Sequence, residues 1–218
     1  MPIPIVTIPE QGAIATRPRR QPLYDTEGDN NAVAIQSELP IFVNFTQFYT
    51  ASLAYGPSKV KGRDHNMDGG GKSLSKGDYH HWYAVTIPVS ARTASLTTSA
   101  NAPTFEEIHR IRQARWFVFK FGETPFIRAQ LDEIPVGVGT REVYTSHSGV
   151  TVYPTLSSHL ARRENRYDVT LDGYPTEITD LESFYISLLS DSGFQPTPTA
   201  ELYWSPHLWG TLLKGIRG

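Results

Sequence analysis

The sequence predicts an all-β protein, a β-sandwich or barrel with one short helix, on three observations. Runs rich in aromatic and β-branched residues recur along the chain, about seven or eight of them, with the two-residue alternation of strands. Sixteen Pro and 17 Gly in 218 residues imply many turns and few long helices. A helix start signal occurs at one place alone. Strands without alternating helical segments belong to packed or closed antiparallel sheets rather than to an α/β fold.

Residues 1–38 stand apart as an extended N-terminal arm. Pro2, Pro4, Pro9, Pro18 and Pro22 exclude helix and discourage central strands, and "EGDNNA", 27–32, reads as a polar turn. Ile3, Ile5, Val6 and Ile8 offer apolar anchors for a neighbouring subunit. Arg17, Arg19 and Arg20 in "RPRR" make the arm locally basic. The sandwich domain is expected over 39–218.

Within it, "LPIFVNFTQFYTASLAYG" (39–56) reads as a strand, with Ile41, Val43, Phe45 and Gln47 on one face. Residues 57–77 read as a long flexible loop, held by something outside it, that enters a strand at Tyr79. In "DYHHWYAVTIPV" (78–89), Tyr83, Val85, Ile87 and Val89 alternate against Trp82, Ala84 and Thr86. Thr104-Phe105-Glu106-Glu107 is a capping box that opens a helix of about ten residues, carrying Phe105, Ile108, Ile111 and Arg112 at helical spacing. "ARWFVFKF" (114–121) and "PFIRAQL" (125–131) form a hairpin around Gly122-Glu123-Thr124. "NRYDVTLDG", "DLESFYISLLSD" and "TAELYW" supply three more strands, and "HLWGTLLKGI" reads as a closing strand or a short helix.

The totals exclude several functions. The chain has no cysteine, which removes disulfide scaffolds, zinc–thiolate sites and thiol catalysis. A net charge of −2 gives no global attraction to nucleic acid or an anionic membrane, so any such contact needs a local patch. No apolar run approaches the ~20 residues of a membrane-spanning helix. "MPIPIVTIPEQ" has no basic start and is broken by prolines, so no signal peptide is expected.

The most chemically suggestive letters are "HNMDGGGKSLSKGDYHHWY", 65–83. A phosphate loop ending at Gly71-Lys72-Ser73 needs Gly at position 66, where Asn66 stands, together with a preceding core strand and a following helix. All three are missing. His65, Asp64, Asp68, His80 and His81 carry metal-donor atoms. His80 and His81 point to opposite faces of a strand, so only one can share a site with His65. His65, Asp68 and His80 are the metal candidates that remain, and no bound metal or cofactor is expected. Asp132, Glu133 and Asp168 are the carboxylates a glycosidase reading would use. No G-x-S-x-G elbow is present, and "SHSG", 146–149, reads as a Ser/Gly loop. The arginine groups 17/19/20, 110/112/115 and 162/163/166 read mainly as solvated faces and turn caps, with the arm best placed for nucleic acid or an acidic neighbour.

In order along the chain, "FVNFTQFYTASL", "WYAVTIPV", the capped "TFEEIHRIRQ", "RWFVFKFGETPFIRAQLDEIPVGVG", "RYDVTLDG" and "FYISLLSD" resemble the jelly-roll coat proteins of small tailless icosahedral viruses, particularly bacteriophages. The resemblance covers about 39–216 as a pattern of elements without a diagnostic motif. It implies a single jelly roll, because the double-barrel coat subunit is much longer than this chain. It further implies a non-enzymatic capsid subunit located in the virion. Its partners would be copies of itself and other virion proteins, joined through sheet edges, loops and the arm, with the genome or an internal membrane as a further contact of the arm and no small-molecule substrate. The alternative is a carbohydrate- or receptor-binding sandwich presenting Trp82, Trp204 or Trp209 on an exposed platform. A lesser alternative is a hydrolase or metal enzyme.

Overall fold

The structure, a computed structural model, describes residues 17–20, 22–29, 35–52, 56–68, 71–92, 105–136, 141–147, 150–157, 167–168, 176–191 and 201–214. Side chains are described at these positions except 17–20, 51–52, 91–92, 105–106, 141–147, 150–157 and 167–168. The first strands are β1 (Arg17–Arg20), β2 (Leu23–Tyr24), β3 (Glu27–Asp29), β4 (Glu38–Ile41), β5 (Gln47–Ser52) and β6 (Gly56–Ser58). Next come β7 (Tyr79–Thr86), β8 (Val89–Arg92), helix α1 (Phe105–Gln113), β9 (Arg115–Phe121) and β10 (Thr124–Gln130). After a 3-10 turn at Leu131–Glu133 follow β11 (Arg141–His147), β12 (Val150–Ser157), β13 (Tyr167–Asp168), β14 (Thr176–Ile178), β15 (Phe184–Ser190), β16 (Glu201–Trp204) and β17 (His207–Lys214). The chain is mostly β-strand, in antiparallel sheets, with a single α-helix among the described residues.

Two of these assemblies carry the architecture. In the first, Arg17 pairs with Lys214, Leu23 with Leu208, Glu27 with Trp204 and Asp29 with Leu202, so β1, β2 and β3 lie along β17 and β16 in one unbroken register. On the other side of the same ribbon, β7 and β8 run from Tyr79 opposite Leu213 to Arg92 opposite Glu201. The C-terminal segment 201–214 is thus the middle strand between 17–29 and 79–92. β13 and β14 pair with β7 beyond it. The second sheet has the order β10-β9-β15-β4. β5–β6 and β11–β12 form separate hairpins.

The inner faces of the two sheets meet in one apolar core. Trp82 of β7 lies against Phe119 of β9 with ring centroids 4.7 Å apart, and Phe119 stacks towards Phe184 of β15 at 6.1 Å. Leu208 and Leu212 from "HLWGTLLK" join them from alternate positions, which settles that segment as a strand. Each fully buried Leu or Phe contributes about 1.5–3 kcal/mol of transfer free energy.

Several expectations are corrected in detail. The 39–56 run is not one strand. Phe42 has φ 69°, and the Asn44 side-chain carbonyl accepts from the amides of Thr46 and Gln47, an Asx-type turn that separates β4 from β5. In β7 the two-residue alternation breaks at Tyr83. Trp209 pairs with Ala84 while Gly210 pairs with Trp82, leaving Tyr83 as the extra residue of a bulge and 39% exposed. Trp82 therefore shares the core with Val85, Ile87 and Val89, not the opposite face. Gly210 is required there, because a Cβ would sit 2.1 Å from the carbonyl oxygen of His81.

The turn read at Glu27-Gly28-Asp29 is the buried strand β3, and the expected arm is already paired into the sheet from Arg17 onward. Residues 1–16 lie outside the described residues, including Ile3, Ile5, Val6 and Ile8. The described residues of 57–77, which are 57–68 and 71–77, are held by the chain itself. The Lys72 amide donates to Phe42 O, Phe184 N donates to Lys72 O, and His65, Met67 and Leu74 are buried. Helix α1 buries Ile108, Ile111 and Arg112 as its spacing predicts, while Thr104 of the capping box lies outside the described residues. Of the "SHSG" run, Ser146 and His147 end β11, which pairs with β12, and 148–149 lie outside the described residues.

Candidate functional site

The densest polar chemistry lies on the N-terminal strand. Asp25, Glu27 and Asp29 occupy alternate positions along 25–29, so strand geometry sends all three to one face, and all three are buried. Lys59, just past β6, reaches into this line. Its Nζ donates to Asp25 Oδ1 and Oδ2 at 2.8 and 3.0 Å, to Glu27 Oε1, and to the carbonyl oxygen of Asn44 at 2.8 Å. The Lys59, Asp25 and Glu27 side chains are between 0 and 1% exposed. Backbone amides complete the carboxylates: Phe42 N–H donates to Asp25 Oδ2 and Tyr49 N–H to Glu27 Oε2, each at 2.8 Å.

Burial dominates the proton equilibria here. It raises the Asp25 carboxyl to about 6 and that of Glu27 to about 8, against the opposing pull of Lys59. One cation between two dehydrated carboxylates leaves a surplus negative charge, and protonation of Glu27 removes it. His65 lies beside the cluster, stacked on Phe45 with centroids 5.6 Å apart. Burial, followed by the charge of Lys59, lowers its affinity for a proton. Phe48 places its ring 5.7 Å from Lys59 Nζ.

The third acid forms a separate group. Asp29 receives Arg115 Nη1 and Nη2 at 2.8 and 3.1 Å and Trp204 Nε1 at 2.6 Å. Arg115 also donates to Ser190 Oγ at 3.1 Å, which ties β9 and β15 of one sheet to β3 and β16 of the other. Arg112 is buried as well, donating to the carbonyl oxygens of Leu131, Ile134 and Ile87, with its pKa lowered by burial to about 10. The 110/112/115 group is therefore no basic surface patch. Two of its arginines are internal struts, and Arg110 alone is exposed.

The other sequence candidates fall in different places. Asp68 faces Lys214, at 2.9 Å, and Lys61, which hold its carboxyl down at about 2. His80 is buried on β7, whereas His81 is partly exposed with Nε2 3.6 Å from Glu177. Among the described residues no group of three or more His, Asp or Glu is arranged to hold a metal ion, so His65, Asp68 and His80 do not form a ligand set. Asp132 pairs with His109 at 3.3 Å, Glu133 is exposed, and the Asp168 side chain lies outside the described ones. Trp82 and Trp204 are fully buried, and Trp209 donates from Nε1 to Thr86 Oγ1 at 2.9 Å. The side chains of Arg17, Arg19 and Arg20 lie outside the described ones, although their backbone pairs with β17. Large apolar side chains reach solvent at Tyr49, Val60, Tyr83, Phe126 and Leu181, the last 90% exposed in the turn before β15.

The Asp25–Glu27–Lys59 cluster did not emerge from sequence reasoning. Its signal was the two-residue spacing of acids in "DTEGD", which is strand periodicity masked by the glycine and the asparagines that follow. The chain matches no protein-family model, no curated protein and no solved structure.

Proposed function

We propose that the protein is a structural subunit of a virion, a single jelly-roll coat protein that self-assembles into an icosahedral shell. The observation that supports it is strand order. The first sheet has β1–β3, then β16–β17, then β7–β8, then β13 and β14 side by side, and the second has β10, β9, β15 and β4. With the eight positions numbered along the chain, the sheets read 1-8-3-6 and 2-7-4-5. Such an interleaving of two Greek keys supports the jelly-roll reading, a winding used by viral shells, lectins and cupins.

Two further features favour the shell among those uses. The space between the sheets is filled by Trp82, Phe117, Phe119 and Phe184. Apolar side chains instead reach solvent at Tyr49, Val60, Phe126 and Leu181, where a neighbouring copy would cover them. Proline in the outer strands, at Pro18, Pro40 and Pro125, disfavours growth by edge-to-edge pairing. Contacts then fall to loops and to residues 1–16, with Ile3, Ile5 and Ile8 as anchors.

Light scattering coupled to size-exclusion chromatography, followed by electron microscopy, tests the reading. Purified full-length protein is expected to form large symmetric particles, and the chain lacking 1–16 is expected to stay folded but assemble poorly. A strict monomer at high concentration counts against the shell, and normal assembly of the truncated chain counts against the arm.

A further inference from the structure

We propose that Lys59 and Asp25 condense within the folded chain to form an intramolecular amide cross-link, with Glu27 as the catalytic acid–base group. The geometry is that of a nucleophile held on its target. Both oxygens of Asp25 accept from Lys59 Nζ, at 2.8 and 3.0 Å, so the amine is held against the carboxyl group and a turn of that group about Cβ–Cγ presents Cγ to it. The Asn44 carbonyl oxygen, 2.8 Å from Nζ on a part-buried bond, fixes the amine from another direction. Such positioning replaces a bimolecular encounter by a unimolecular step and raises the effective concentration by orders of magnitude.

The chemistry balances with the groups present. An ammonium proton passes from Nζ to the ionised form of Glu27, leaving a neutral amine beside a protonated carboxyl group. The lone pair attacks Asp25 Cγ, and the negative charge that develops on Oδ2 meets the Phe42 N–H already donating to that atom at 2.8 Å. Glu27 then relays protons to the departing oxygen Oδ1. One C–N bond forms, one C–O bond breaks, and two hydrogens from Nζ leave with one Asp25 oxygen as water. No atom changes oxidation state overall and no co-reactant is needed.

The surroundings favour product over reactants. Lys59 and Asp25 meet with side chains fully excluded from solvent, where an ion pair loses its hydration and condensation replaces two buried charges by a neutral amide. The raised proton affinity of Glu27 keeps that side chain able to donate near neutral pH. In the product the one remaining N–H would go to Asn44 O, the new carbonyl would keep the Phe42 amide, and Glu27 would keep that of Tyr49. The link would join the N-terminal strand to the segment after β6, 34 positions away.

The intact mass of the purified, denatured full chain decides the matter. The expected mass is one water below that of the sequence. Trypsin, which has no site between Arg20 and Lys59, is expected to leave 21–61 as one looped peptide a water light and uncut after Lys59, and chymotrypsin to open that loop into a branched peptide joining the Asp25 and Lys59 segments. The full sequence mass, or a water loss mapped to any other residue, overturns the proposal. Glu27→Gln keeps the shape of the side chain but cannot relay a proton, and it is expected to give folded protein at the full mass. A Glu27→Gln chain that links as completely as wild type overturns the role of Glu27. If that variant fails to fold, the wild-type mass and peptide map still decide whether the link exists.

Discussion

Asp29 and Arg115 show how much a single buried pair constrains. Arg115 spreads over Asp29 with two hydrogen bonds, and both side chains are closed to solvent. Arg115→Ala leaves a dehydrated carboxylate with Trp204 Nε1 and the Gln36 amide as its named donors, at an expected cost of about 3–5 kcal/mol in urea unfolding. The paired replacement of Asp29 and Arg115 by Asn and Met is expected to recover part of that loss. His207 sets a pH dependence. Burial lowers its pKa from 6.5 to about 4, so between those values the unfolded chain binds a proton that the folded chain refuses. Its contribution to stability is present above pH 6.5, falls as the pH drops, and levels off near pH 4. Thermal unfolding of His207→Gln is expected to show a shallower decline over that window than wild type.

At the scale of elements, the bulge at Tyr83 rests on one glycine. A methyl group at position 210 would strike His81 O and Trp82 Cα, so Gly210→Ala is expected to cost at least about 2 kcal/mol, read from the denaturation midpoint. Periodicity predicted β7, β9, β10, β15 and α1 well, because each pairs a regular apolar spacing with a clear turn or cap. It misplaced Tyr83 because a bulge adds one residue without changing composition. It ran through Phe42 because a left-handed aromatic is a tertiary compromise that no local propensity announces. It missed β11–β12, although Val143 and Val152 alternate with polar residues on either side of the letters Ser148-Gly149, a recognised hairpin signal. The buried acids were illegible for a different reason: a carboxylate enters a core only when a distant cation meets it, and Lys59 is 34 residues from Asp25.

At the scale of the molecule, the composition argument for an all-β chain holds, and the two antiparallel sheets follow from it. The pairing of β1, β2 and β3 into a sheet did not follow from the sequence, since prolines mark an outer strand as readily as a free arm. Truncation separates the two. Removing 1–16 is expected to leave the melting temperature within a few degrees of wild type. Removing 1–24 takes away buried Leu23 and the Tyr24 amide bonded to Asn66 Oδ1, and is expected to abolish cooperative unfolding by circular dichroism.

The position of 201–214 between 17–29 and 79–92 has a consequence for synthesis. The ribosome makes the central strand of that sheet after every other strand described, so two long edges wait for a partner throughout translation. The growing chain must remain soluble with those edges open, and chaperones that shield unpaired strands have their longest opportunity here. Release before residue 201 would free a chain that can complete the second sheet but never the first, which marks unfinished copies for aggregation or proteolysis before they reach a partner.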